Sequence, residues 1–104
     1  MSYKFVAITA CVQGIAHTFM AEAGLKKAAK KNGYEMSVET QGGLGVQNRL
    51  KQSDIDAADV VILAIDTKIT GRERFENKKV LEVGTSAVVK NAQAVLEQAI
   101  ALVK

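Results

Sequence analysis

The chain has 104 residues, 48% of them hydrophobic and 24% charged, with a formal net charge of +3 and a single cysteine. This length bounds it to one domain, residues 1–104, with a small core. The lack of proline and tryptophan and the moderate charge exclude a disordered or Pro-rich linker protein, and one cysteine excludes an internal disulfide, pointing to a reducing cytosol.

The N-terminal segment is too short, and lacks the cleavage pattern, for a signal peptide, and no apolar run is long enough to span a bilayer. Residues 3–9 read as a first strand, with Phe5-Val6-Ala7-Ile8 as a buried run. A helix is expected from Ala16 to about Asn32, stopped by Gly33. Its end carries Lys26, Lys27, Lys30 and Lys31, where cations suit the helix dipole and form a solvated basic face. The same lysines suit docking to an acidic protein partner. Nucleic-acid binding is not supported, because Phe and Tyr total only five and no binding motif is present.

Residues 36–40 alternate apolar and polar, as a strand with one exposed face does. Gln41-Gly42-Gly43-Leu44-Gly45 reads as a flexible loop, followed by a helical turn at 46–50. Ser53, with Asp56 three residues on, is expected to cap another helix. Val60-Val61-Ile62-Leu63-Ala64-Ile65 is continuously apolar, as a central parallel strand buried on both faces should be. Residues 79–83 give a fourth strand, and residues 86–103 a last helix capped by Thr85 or Ser86.

Alternating strands and helices imply an α/β fold. The expected architecture is a four-stranded parallel sheet of order 2-1-3-4 with helices on both faces, a flavodoxin-like, phosphatase-like three-layer sandwich. Ligands in such sheets bind at the carboxyl ends of the strands, beside the point where strand order reverses. Cys11 lies there, together with the glycine loop and Asp66.

Cys11-Val12-Gln13-Gly14-Ile15-Ala16-His17-Thr18 contains the only cysteine and the only histidine. A thiol at a strand-to-helix turn stands where backbone N–H groups and the helix dipole converge on an anion, and the same field stabilises a thiolate. Gly14 lets the backbone of Val12, Gln13, Gly14, Ile15, Ala16, His17 and Thr18 turn its N–H groups inward as a phosphate nest. The Thr18 hydroxyl donates to a phosphoryl oxygen or the thiolate, and His17 supplies a proton or positive charge. The residues thus point to Cys11 as a nucleophile that accepts a phosphoryl group. Gln41, Gly42, Gly43 and Gly45 form a second wall, either touching phosphate or partner or simply making a tight turn. Asp66 caps a turn or hydrogen-bonds the cysteine loop. Arg72 and Arg74 approach the site or are held in ion pairs. No cofactor is implied, and one His with one Cys cannot supply a metal ligand set.

The loop also resembles the Cys-x5-Arg-Ser/Thr loop of low-molecular-weight tyrosine phosphatases, with His17 in place of the arginine. The Asp-Pro element that supplies the phosphatase acid is missing, which suits holding and passing on a phosphoryl group more than hydrolysing it. A non-catalytic regulatory module is a further reading, resting on Val12-Gln13. A thiol-redox enzyme is disfavoured without a second cysteine.

Thr9-Ala10-Cys11, Gly14-Ile15-Ala16-His17-Thr18-Phe19-Met20-Ala21, Val38-Glu39-Thr40-Gln41-Gly42, Asp59-Val60-Val61-Ile62-Leu63-Ala64 and Arg74-Phe75 resemble the enzyme IIB components of the bacterial phosphoenolpyruvate-dependent sugar phosphotransferase system, in the fructose group. The resemblance covers nearly the whole chain. It implies a cytoplasmic, freestanding IIB polypeptide, a protein-phosphocysteine–sugar phosphotransferase. Cys11 would take its phosphoryl group from a phosphohistidine of the IIA component. It would give it to a fructose-like sugar bound by the membrane-embedded IIC component, through which the chain meets the membrane without inserting into it. The group usually has Cys-Pro-Thr-Gly where this chain has Cys11-Val12-Gln13-Gly14. Val12 adds a backbone N–H and Gln13 offers an amide in place of the hydroxyl, so the cradle is expected to survive.

Overall fold

The computed structural model describes residues 3–11, 16–42 and 45–103. In chain order the elements are β1 (Lys4–Ala10), α1 (Ala16–Lys31), β2 (Glu35–Gly42), β3 (Gly45–Gln47), α2 (Gln52–Ala57), β4 (Val60–Ile65), a 3-10 helix (Arg72–Phe75), β5 (Val80–Val83) and α3 (Thr85–Ala101). All of β4 is buried, as its unbroken apolar sequence requires, and it lies beside β1 in the middle of the sheet.

The sheet differs from the expected all-parallel, four-stranded one. It is mixed and five-stranded, in the order β3-β2-β1-β4-β5. The bonds from β2 to β1, β1 to β4 and β4 to β5 are parallel, and β3 runs antiparallel to β2. The helical turn expected at 46–50 is absent because the chain folds straight back on β2, pairing Gly42 with Gly45 and Thr40 with Gln47. Gly45 (φ +85) and Asn48 (φ 54) take left-handed conformations at either end of β3, which glycine and asparagine tolerate best. Gly43 and Leu44 lie outside the described residues.

β3 reaches only the end of β2. The Glu35 N–H donates to the Tyr3 carbonyl, so by alternation Met36 and Val38 turn their N–H and C=O groups to the outer edge. Among the described residues no strand covers that edge. Lys26, Arg49 and Lys51 line the roughly 350 Å³ groove beside it.

Period-two alternation sorts the side chains of each strand onto two faces. Phe5, Ala7, Val38, Val60, Ile62 and Ala64 pack against Leu25, Ala28, Val88 and Leu96 of α1 and α3. On the other face Val6, Ile8, Val61 and Leu63 meet Leu50, Ile55 and Phe75, under the shorter α2 and the 3-10 helix. Ser53 lies inside α2 rather than capping it, since the helix starts one residue earlier, after Lys51, with no side-chain cap. Neither Thr85 nor Ser86 caps α3: Gly84 is the flanking residue, and the Thr85 hydroxyl is bonded to Asp66 instead. α3 is interrupted at Asn91, whose side-chain oxygen accepts the Ala94 N–H at 3.1 Å and restarts the helix.

Candidate functional site

β1 ends at Ala10, whose register partners are Gln41 on β2 and Ile65 on β4. The next residue on each strand therefore falls at one level along the carboxyl edge: Cys11, Gly42 and Asp66. Cys11 is half-buried and His17 is exposed on the first turn of α1. Thr18 is buried, and its hydroxyl has no partner among the described residues; the same holds for Thr9 and Thr40, which face each other across β1 and β2. The expected cradle residues Val12, Gln13, Gly14 and Ile15 lie outside the described residues, as does Gly43; Ala16 begins α1 and Gly42 ends β2.

Asp66 is fixed by its surroundings. Its backbone N–H donates to the Ala10 carbonyl at 2.9 Å. Its carboxylate accepts the Thr85 N–H at 3.1 Å and the Thr85 hydroxyl. It also accepts a hydrogen bond from the Cys11 thiol and feels the charge of His17. The bond from the Thr85 hydroxyl holds the Asp66 carboxyl below its ordinary value; burial opposes this, while the Thr85 N–H, Cys11 and His17 add to it. Asp66 thus ties the end of β4 to the first residue of α3.

Near the end of β2 lies a buried charge that the alternation of residues 36–40 places on an exposed face. Glu39 is fully buried. Its carboxylate accepts from Arg74 at 2.9 and 3.1 Å, from the Leu50 N–H at 2.9 Å and from the Gln41 amide at 2.7 Å. Burial pushes the Glu39 carboxyl up, but the Arg74, Leu50 and Gln41 hydrogen bonds and the Arg74 charge outweigh it, leaving the carboxyl below its ordinary value. Gln41 also exchanges two hydrogen bonds with the Thr70 backbone, at 2.9 and 3.0 Å. Its side chain therefore joins β2 to the loop after β4. Arg72 is paired with Glu82 at the surface, so both arginines are engaged in ion pairs.

Gly71 makes the Arg74 geometry possible. It has φ +77, and a Cβ there would stand 2.5 Å from Arg74 Nε, which itself donates to the Gly71 carbonyl at 2.7 Å. Gly71→Ala is therefore expected to cost about 1–2 kcal/mol for the left-handed backbone alone, plus displacement of a guanidinium that Glu39 holds in place. The drop should appear as a lower urea midpoint; an unchanged midpoint would show that the turn relaxes freely.

Residues 6–98 match the family model described as the lactose/cellobiose-specific IIB subunit of the phosphotransferase system (PTS). The chain belongs to the PTS IIB family. The IIB chain is 45% identical over 95 residues to the "PTS system fructose-like EIIB component 2" of Escherichia coli K12, covering 91% of itself and 90% of that protein. It is 48% identical over 98 residues to the "PTS system fructose-specific EIIB'BC component" of Xanthomonas campestris, covering 94% of itself but spanning only 17% of that longer relative. It also superposes, with TM-score 0.92 and 40% identity, on a crystal structure of a domain of the fructose-specific IIABC component from Borrelia burgdorferi, covering 97% of itself and 96% of that domain. Membership in this family makes the IIB chain a phosphoryl-transfer component of sugar uptake.

Proposed function

We propose that Cys11 is the residue that carries the phosphoryl group. In this reading a phosphohistidine of the IIA component donates to Cys11, which passes the group to a fructose-like sugar held by the membrane IIC component. The observation that carries the reading is the place of the thiol. In a chain of the IIB family, Cys11 is the only cysteine, half-buried where β1 turns toward α1 at the carboxyl edge of the sheet. The names EIIB'BC and IIABC of two relatives, which join the B domain to a C component, support a IIC partner for this chain. Among the described residues no helix is long and apolar enough to cross a membrane; in this reading the chain meets the membrane through IIC.

The chemistry is two displacements at phosphorus. In the first, the N–P bond of the donor breaks as the S–P bond forms, and the thiol proton ends on the released imidazole. In the second, the S–P bond breaks as an O–P bond forms to a sugar hydroxyl, whose proton returns to the sulfur. His17 offers a donor from the first turn of α1, and Thr18 a buried hydroxyl.

Incubation with phosphoenolpyruvate, the general PTS proteins and a fructose-type IIA is expected to add one phosphoryl mass to the intact chain, blocked by prior alkylation of the thiol. A chain that gains none would overturn the reading. Aryl phosphates should be turned over negligibly, because Arg72 and Arg74 are held by Glu82 and Glu39 rather than offered to a phosphate.

A further inference from the structure

We propose that Asp66 limits how far Cys11 loads: its carboxylate favours the free thiol and disfavours the phosphorylated residue, keeping the phosphoryl group easy to pass on. This rests on Cys11 being the phosphorylated residue and gives that site a positioning residue which acts on the phosphoryl group through Cys11.

The carboxylate cannot easily turn away from the sulfur. The Asp66 backbone is tied to Ala10, the residue before Cys11, by a 2.9 Å hydrogen bond. One carboxylate oxygen takes the Thr85 N–H at 3.1 Å and the other the Thr85 hydroxyl. Gly84 leaves the carboxylate its place, since a Cβ there would stand 3.0 Å from Asp66 Oδ1. In the free protein the Cys11 thiol donates to this carboxylate. Phosphorylation removes that donor, because sulfur exchanges its proton for phosphorus. It also places an oxyanionic group beside a carboxylate that is already charged, and the two repel. Both changes disfavour phosphocysteine relative to thiol. Asp66 is exposed, so water screens the repulsion and the effect is moderate.

Asp66→Asn keeps the shape of the side chain and an acceptor for the Thr85 N–H but removes the charge. At equilibrium with phospho-IIA, the ratio of phosphorylated to free Cys11 should rise about three- to tenfold. Without any phosphoryl donor, iodoacetamide should alkylate Cys11 several-fold faster in the variant at neutral pH, since the developing thiolate no longer faces a carboxylate. A residue that merely held the fold would lower loading when replaced, so the sign of the change separates the two roles. Asp66→Ser, neutral and small, should shift both measurements the same way and serves if the Asn variant does not fold. Asp66→Glu, which keeps the charge, should raise neither. Unchanged or lower loading in the neutral variants, with wild type loading normally, overturns the role given to Asp66 alone. Absence of loading in the wild type overturns the assignment of Cys11 itself, and this inference with it.

Discussion

Cys11→Ser is expected to keep the fold and lose phosphoryl acceptance by more than about a thousandfold, roughly 4 kcal/mol of barrier. Serine is nearly isosteric, and its hydroxyl can still donate to Asp66, so the turn from β1 toward α1 retains its hydrogen bond. What disappears is the thiolate. A serine hydroxyl is not appreciably ionised at neutral pH, and the Asp66 carboxylate, held below its ordinary value, is too weak a base to take its proton. Intact mass after reaction with phospho-IIA measures the loss, and circular dichroism with a thermal melt checks the fold. A serine variant labelled to the wild-type extent would place the phosphoryl group elsewhere.

The largest effect on stability should come from Arg74→Ala. Glu39 is fully buried and the Arg74 side chain is only 12% exposed, so removing the guanidinium leaves a carboxylate with the Leu50 N–H and the Gln41 amide as its remaining donors. Breaking such a pair from one side costs about 3–5 kcal/mol, readable as a lower urea midpoint at constant slope. Replacing both members with apolar residues, as in Glu39→Met with Arg74→Met, should recover most of the loss, because no unpaired charge stays behind. The two proteins should also respond differently to acid. In the wild type Glu39 sits below the ordinary value of 4.5, so the unfolded chain binds the proton first. The Glu39 contribution is therefore complete above that value and is lost as pH falls through and below it. In Arg74→Ala burial acts on Glu39 without the guanidinium, and protonation relieves the buried charge. The stability gap between variant and wild type should thus narrow in acid. A gap that stays constant with pH would mean that Arg74 stabilises through packing, including its stacking on the Phe75 ring at 5.1 Å, rather than through charge.

The parts of the fold that could be read directly were those whose residues carry a strong local pattern. Val60–Ile65 is apolar at every position and is buried at every position. Gly33 ends α1 with φ +74, as a helix stop should. The failures share a cause in tertiary contact. Residues 45–47 have no strand-like length of their own and become β3 only because β2 offers an unpaired edge. Glu39 reads as exposed in an alternating strand, yet the 3-10 helix and the segment around Leu50 close over it. The presence of Arg74 gave no hint of its partner 35 residues away. At the site, the position of Cys11 and the proximity of Asp66 follow from strand order alone, since each lies one residue past a central strand. That Thr85 would hold Asp66 rather than cap its own helix does not follow, because both uses of a threonine hydroxyl satisfy the same local rules.

The unpaired outer edge of β2 bears on how the molecule behaves when crowded. Backbone groups at Met36 and Val38 have no outer strand partner among the described residues and can template another strand, the usual route by which sheet proteins stick to their own copies. Any second copy that approached edge to edge would bring its Lys26, Arg49 and Lys51 against the same three cations, with Asp54, already paired with Lys4 at 3.4 Å, as the one carboxylate lining the groove among the described residues. The charge that looks like an ordinary basic surface thus makes self-association through this edge costly, and it weakens as a safeguard when salt screens it.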